Sequence, residues 1–259
     1  MRPSPALRPA PAEIVRTLVA GRLPALVHLA QRPGPFHVRH VTDADGRVLL
    51  LVPVHSDLAA ALPLGTGSDV AVALDVLDLP PAAGAPSLGR AWVSGWAAAL
   101  HADAARRAAL DFAEVDPTGD LLDVGTRFRL YRFEVAEARL ERPDGLLRVD
   151  PVAYAEAEPD PLHPVETELL AELAVRHGRE MAAYVRRQLG LVESGPDGPP
   201  RVVRVDRYGL LVSLGGPGAR RRARLAFPGP VADHRELARL LHPMLCHHRP
   251  VRASTPPTA

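Results

Sequence analysis

The sequence predicts an α+β chain in two parts, and three observations predict it. Residues 12–150 hold short apolar runs broken by turns at Asp45-Gly46 and Asp144-Gly145, the pattern of antiparallel hairpins. Helical patterns are interspersed there without the strict strand–helix alternation of a parallel sheet, and no Gly-x-Gly-x-x-Gly follows a strand. Prolines and acidic residues then dominate residues 151–164, a linker composition, before a second block with its own long helix and hairpin over residues 165–243.

The elements follow in order. Residues 1–11 are rich in Pro and Arg, can bury little, and are expected to be disordered. Ile14, Val15, Leu18 and Val19 form one helical stripe, stopped by Gly21. Residues 25–30 form a short apolar strand. Residues 36–41 alternate apolar and polar, and residues 48–52 return as a buried strand after the Asp43-Ala-Asp-Gly46 turn. Ser56 or Asp57 caps a short helix carrying Leu58 and Leu62. Strands over residues 70–77 and 90–100 flank a Pro-rich loop, and Trp92 and Trp96 share one face of the second strand. A helix spans residues 101–115. Residues 127–135 alternate Arg with Phe, Leu or Tyr, a half-buried strand, and residues 136–140 read as its partner. A last strand of this block covers residues 146–149.

In the second block, Leu169, Leu170, Leu173, His177, Met181, Tyr184 and Val185 recur at helical spacing up to Gly190. Strands over residues 202–205 and 210–214 flank the Asp206-Arg-Tyr-Gly209 turn, and residues 220–227 form a third strand. Asp233 caps a final helix, and residues 244–259 read as a flexible tail.

Composition narrows the function. The 259 residues are 47% hydrophobic but only 4% aromatic, so Ala, Val and Leu must build the core. Lys and Asn are absent, and Arg fills the basic positions. The formal net charge is +1, which argues against a nucleic-acid binder. No apolar run approaches the ~20 residues of a membrane span, and the N-terminus lacks the apolar segment of a signal peptide. Cys246 is the only cysteine, which excludes an intrachain disulfide and fits a reducing cytoplasm. No nucleophile elbow, His-Glu-x-x-His or P-loop is present.

Histidines and arginines are the remaining candidates. His247 and His248 could supply imidazole ligands from the tail, or simply belong to a disordered end. His177, on an apolar stripe, reads as a hydrogen-bonded core residue. His37 and His40 differ by three and point to opposite strand faces, so they cannot form one metal pair. The Arg127, Arg129, Arg132 group and the Arg220, Arg221, Arg222, Arg224 group read as solvated faces.

Several stretches resemble HugZ-like haem oxygenases and their relatives in the pyridoxamine-phosphate-oxidase and flavin-reductase superfamily. They are Val54-His-Ser-Asp-Leu-Ala59, the Arg-x-x-x-x-Gly strand in Gly89-Arg-Ala-Trp-Val-Ser-Gly95, Leu121-Leu-Asp-Val-Gly125, and Arg129 to Leu140. Residues 165–241 resemble the small domain that accompanies these barrels. The resemblance implies an FMN-binding-type split β-barrel followed by a small α+β domain. It also implies a homodimer with ligand sites at the interface.

For the site, the resemblance implies haem, with Arg90 facing the ligand on its iron. Ser56 and Arg90 would be polar contacts, and His247 or His248 the axial ligand. FMN or a deazaflavin is the alternative cofactor, and a non-catalytic ligand- or protein-binding module is the third reading. The chain departs from its relatives at Ala174, where they often carry Asn, and over residues 70–77, which lack the hydroxyl and basic residues that hold a flavin phosphate.

Overall fold

A computed structural model describes residues 7–30, 32–62, 69–191, 198–215 and 221–246. The chain divides into two compact units, one of residues 9–80 with 87–160 and one of residues 1–8, 81–86 and 161–259. The fold class is α+β, with a split β-barrel in the first unit. Among the described residues no helix is long and apolar enough to cross a membrane.

The barrel unit contains strands β1 (Ala25–Leu29), β2 (Phe36–Thr42), β3 (Val48–Pro53), β4 (Val70–Leu77), β5 (Arg90–Ala99), β6 (Phe128–Arg142) and β7 (Gly145–Val149). Its helices are α1 (Pro11–Leu18), α2 (Asp57–Ala61), α3 (Ala102–Val115) and α4 (Pro151–Glu156). The strands run in the order β3-β2-β1-β4-β5-β6-β7, all antiparallel, and a further β3–β6 pairing closes six of them into a barrel. β6 makes the closure possible because it is long. Its first half pairs with β3 (Pro53↔Phe128 to Val48↔Phe133) and its second half with β7 (Ala138↔Val149 to Arg142↔Gly145).

That long strand replaces the two strands read over residues 127–140. The apolar phase does change there, but through a bulge rather than a turn. Ser94 faces Glu137 and Gly95 faces Val135, so Ala136 is the extra residue on β6. Inward positions pass from Tyr131 and Phe133 to Ala138 and Leu140 across it. A one-residue slip of parity looks the same as a strand boundary when only the pattern is visible.

Alternation fills the barrel. Val27, Leu50, Leu74, Val93, Tyr131 and Phe133 point inward and are fully buried, and α1 adds Val15 and Leu18 to the same core. On the other face of β3 and β6, Leu49, Leu51 and Leu130 pack under Phe112 of α3. β3 is therefore buried on both faces, which explains its unbroken apolar run. Gly46 takes φ +84 at the β2–β3 turn, as the Asp-Gly signal requires.

Residues 151–156, linker-like in composition, form α4 instead. Asp150 caps it by accepting from the Val152 and Ala153 amides, and Pro151 occupies the first helical position. Tyr154 is buried and donates to the Gly46 carbonyl at 3.1 Å. Arg16 of α1, also buried, lies 5.4 Å over the Tyr154 ring and donates to the carbonyls of Ala157, Asp43 and Ala44.

His40 faces Leu50 across the β2–β3 pair and is 2% exposed, and its Nε2 has no hydrogen-bond partner. Burial lowers its pKa from 6.5 to about 4, against a smaller opposing effect of a backbone hydrogen bond with Val19. Above pH 6.5 both folded and unfolded chains hold it neutral. Between those two values only the unfolded chain binds the proton, so stability is lost as the pH is lowered. We expect His40 to account for about 3 kcal/mol of lost stability between pH 7 and pH 4. Urea titrations should show a shallower pH dependence for His40→Gln. Parallel curves for the two proteins would contradict the buried neutral state.

The companion unit contains α5 (Glu166–Leu189), β8 (Arg201–Asp206), β9 (Gly209–Ser213), β10 (Arg222–Ala226) and α6 (His234–Cys246). The strands form an antiparallel sheet in the order β10-β9-β8. Leu170, Leu173, Met181 and Val185 of α5 pack with Val205, Leu210, Val212 and Leu237. α5 bends at half-buried His177, whose φ of −131° is not helical. Pro243 sits inside α6, so helix occupies the start of the stretch read as tail. Residues 81–86 belong to this unit. Ala82 packs on its core, and Arg204 and Arg222 donate to the carbonyls of Pro86 and Gly84.

Candidate functional site

Apolar side chains pack inside the barrel, and a groove opens on the outer face of β4 to β7. The groove, of about 620 Å³, is lined among others by Trp92, Ser94, Arg139, Arg142, Pro143 and Leu146. That lies within the ~300–1,000 Å³ of small-molecule sites.

Strand parity places the polar residues on this wall. Asp75, Trp92 and Arg139 stand in one cross-strand row, and Ala73, Ser94 and Glu137 in the next. Arg90 stands opposite Glu141. Asp75 has outward parity yet is 2% exposed, because its neighbours cover it. Arg90 donates through Nε to Oδ1 of Asp75 at 2.5 Å and through Nη2 to Oδ2. The Arg90 guanidinium stacks 4.8 Å from the Trp92 ring centre. The His28 ring lies 5.4 Å from that of Trp92, with its Nε2 3.6 Å from Asp75. Trp92 donates to Glu141 at 2.9 Å.

Charge on the wall is mostly paired. The hydrogen bond to Asp75 holds the Arg90 guanidinium above its ordinary pKa, so it stays charged. Arg139 and Arg148 pair with Glu137 at 2.9 and 2.8 Å, and their hydrogen bonds, that of Arg139 foremost, draw its carboxyl below the usual range. Arg142 donates to the Leu88 carbonyl rather than to a carboxylate, which leaves its charge available to an anion at the groove. Among the described residues, no cluster of three His, Cys, Asp or Glu could hold a bare metal ion.

The candidates named from sequence fall in three places. Arg90 is on the outer wall beside the groove. Ser56 lies at the far end of the barrel, after β3. It caps α2 by accepting from the Ala59 amide at 3.1 Å and donates to the Pro53 carbonyl at 2.7 Å. Pro53 pairs with the first residue of β6 and Arg90 with one near its last, roughly 40 Å apart along an extended strand. The two residues therefore lie toward opposite ends of β6, and no hydrogen bond joins them. His247 and His248 lie outside the described residues.

Both tryptophans face outward rather than into the core, and Trp96 is 54% exposed. Sequence reasoning passed over Asp75 and placed His28 on the first strand without giving it a role. The available signal for Asp75 was a lone carboxylate in an otherwise apolar strand.

No protein-family model and no curated protein matches the chain. Among solved structures, a heme binding protein from Mycobacterium smegmatis superposes with a TM-score of 0.66 at 18% identity, covering 93% of this chain and 98% of that one. A protein of unknown function from Agrobacterium tumefaciens str. C58 has a TM-score of 0.41 at 16% identity, covering 93% of this chain and 99% of that one. A FAD binding protein from Mycobacterium smegmatis has a TM-score of 0.34 at 12% identity, over 55% of this chain and 98% of that one. The first of these likenesses establishes a shared fold.

Proposed function

We propose that the protein is a cytoplasmic haem-binding split barrel that either cleaves haem oxidatively or carries it. The groove on the outer wall carries this reading. Haem is a flat apolar ring with two carboxylates, and needs an apolar slot with basic groups at its rim. Trp92, Pro143 and Leu146 supply apolar surface there, and Arg142, which donates to a carbonyl and not to a carboxylate, supplies positive charge beside Glu137 and Glu141. The fold shared with a protein described as heme binding supports the same reading. Bound haem would supply the redox-active iron, and the chain's own groups would hold it and fix its surroundings.

Arg90 is assigned to the ligand on the iron, and Ser56 to a propionate. Because they lie apart in one subunit, a haem touching both needs two subunits, so the proposal includes a homodimer. The axial imidazole is assigned to His247 or His248. A flavin- or deazaflavin-dependent oxidoreductase ranks second, since the outward residues of β4 (Ala71, Ala73, Asp75 and Leu77) offer no donor to a phosphate. A non-catalytic module ranks third. A barrel cleft filled by its own side chains would favour it, whereas the open groove on the outer wall favours a ligand.

The test is a hemin titration followed by visible absorbance, with wild type beside Arg90→Ala and His247→Ala/His248→Ala. We expect a Soret shift in wild type, weaker binding in Arg90→Ala and an altered spectrum in the double variant. An unchanged spectrum in the double variant removes the tail ligand. Light scattering that finds a monomer removes the shared site. Turnover with a supplied reductant separates cleavage from carriage.

A further inference from the structure

A carboxylate on the outward parity of a barrel strand ordinarily sits in water. Asp75 does not. Arg90, Trp92 and His28 close over it and leave it 2% exposed. Burying a carboxylate is costly unless charge and hydrogen bonds offset it, and the two-point contact from Arg90 supplies both. The same contact fixes Arg90. Its Nε and Nη2 are committed to Asp75, and the plane of the guanidinium lies against Trp92. Its side chain is still 38% exposed, and its Nη1 donors have no protein acceptor among the described residues. The fork is thus held from behind with one end free.

We infer that Asp75 is a positioning residue for Arg90: its buried carboxylate aims the free Nη1 donors at an anionic or oxygen-bearing ligand on the outer wall. The inference rests on the haem reading and adds to it the group through which Arg90 acts. Trp92 completes the clamp and keeps water from the pair. A guanidinium locked in one orientation loses little freedom when it donates, so it binds a small anion better than a mobile one.

The experiment uses the full chain loaded with hemin and reads azide binding to the ferric iron by absorbance. Wild type is compared with Asp75→Asn, Arg90→Ala and the double variant, with thermal melts alongside. Both single variants should lower azide affinity about tenfold, the size of one lost hydrogen bond. The double variant should be no weaker than Arg90→Ala, because Asp75 acts only through Arg90. If Asp75→Asn fails to fold, Arg90→Lys serves. It keeps the charge, cannot make the two-point contact, and should lose affinity as Arg90→Ala does. Wild-type azide affinity in Asp75→Asn, with or without a lower melting temperature, overturns the inference and leaves the haem reading standing. So does wild-type affinity in Arg90→Lys. A wild-type chain that binds no hemin overturns the haem reading, and this inference with it.

Discussion

Gly95→Ala should destabilise the barrel by at least about 3 kcal/mol and abolish ligand binding at the outer wall. A Cβ at Gly95 would sit 1.9 Å from the Glu134 carbonyl oxygen and 2.8 Å from the Phe133 ring. The first obstacle is backbone, so no rotamer change relieves it. Gly95 faces the bulge at Ala136, where β6 crowds β5, and this explains the glycine that follows Arg90 by five positions. Making room would part β5 from β6 and move Trp92 and Ser94. Urea unfolding measures the loss. Gly119→Ala, with open space around its Cβ, is the control and should change stability by less than about 0.5 kcal/mol. A Gly95→Ala chain as stable as wild type would mean that the strands do not meet there as described.

Glu166→Ala should cost the companion unit about 3–5 kcal/mol. Glu166 and Arg204 are 4% and 5% exposed, and Arg204 donates to both carboxylate oxygens at 3.2 and 3.1 Å. Glu166 also accepts from the Val205 amide at 2.9 Å, which ties the start of α5 to β8. Alanine removes a carboxylate that meets the buried guanidinium at two points and leaves the Val205 amide without its acceptor. Hydrogen exchange is the suitable measurement, because a chain of two units need not unfold in one step. The amides of β8 and β9 should lose protection while those of β1 to β6 keep it. A Glu166→Met/Arg204→Met double variant should be milder than Glu166→Ala, since the buried guanidinium is removed together with its carboxylate. Unchanged protection in Glu166→Ala would show that the pair contributes little.

The hairpins were legible in the sequence because an Asp-Gly turn and a period-two pattern are both local. The β5 motif was legible too, and Arg90 and Gly95 stand on the strand it described. The bulge at Ala136 was not, since a parity slip without turn residues mimics a chain reversal. Helix α4 carried an Asp-Pro start signal at Asp150-Pro151, outweighed by the acidic and proline-rich composition around it. What the sequence could not reveal depends on partners distant in the chain. Asp75 is an ordinary strand carboxylate until Arg90 from β5 and His28 from β1 lie over it. The Glu166–Arg204 pair joins residues with no shared local pattern. The separation of Ser56 from Arg90 is likewise a property of the closed barrel, because it follows from which ends of β6 pair with β3 and β5.

The most direct test of the central claim is a paired titration of the wild-type chain with hemin and with FMN, followed by absorbance. Haem binding on the outer wall predicts a saturable Soret shift with hemin, weakened by Arg90→Ala, and no comparable change with FMN. A hemin spectrum that stays that of free hemin, or a saturable FMN complex in its place, would contradict it.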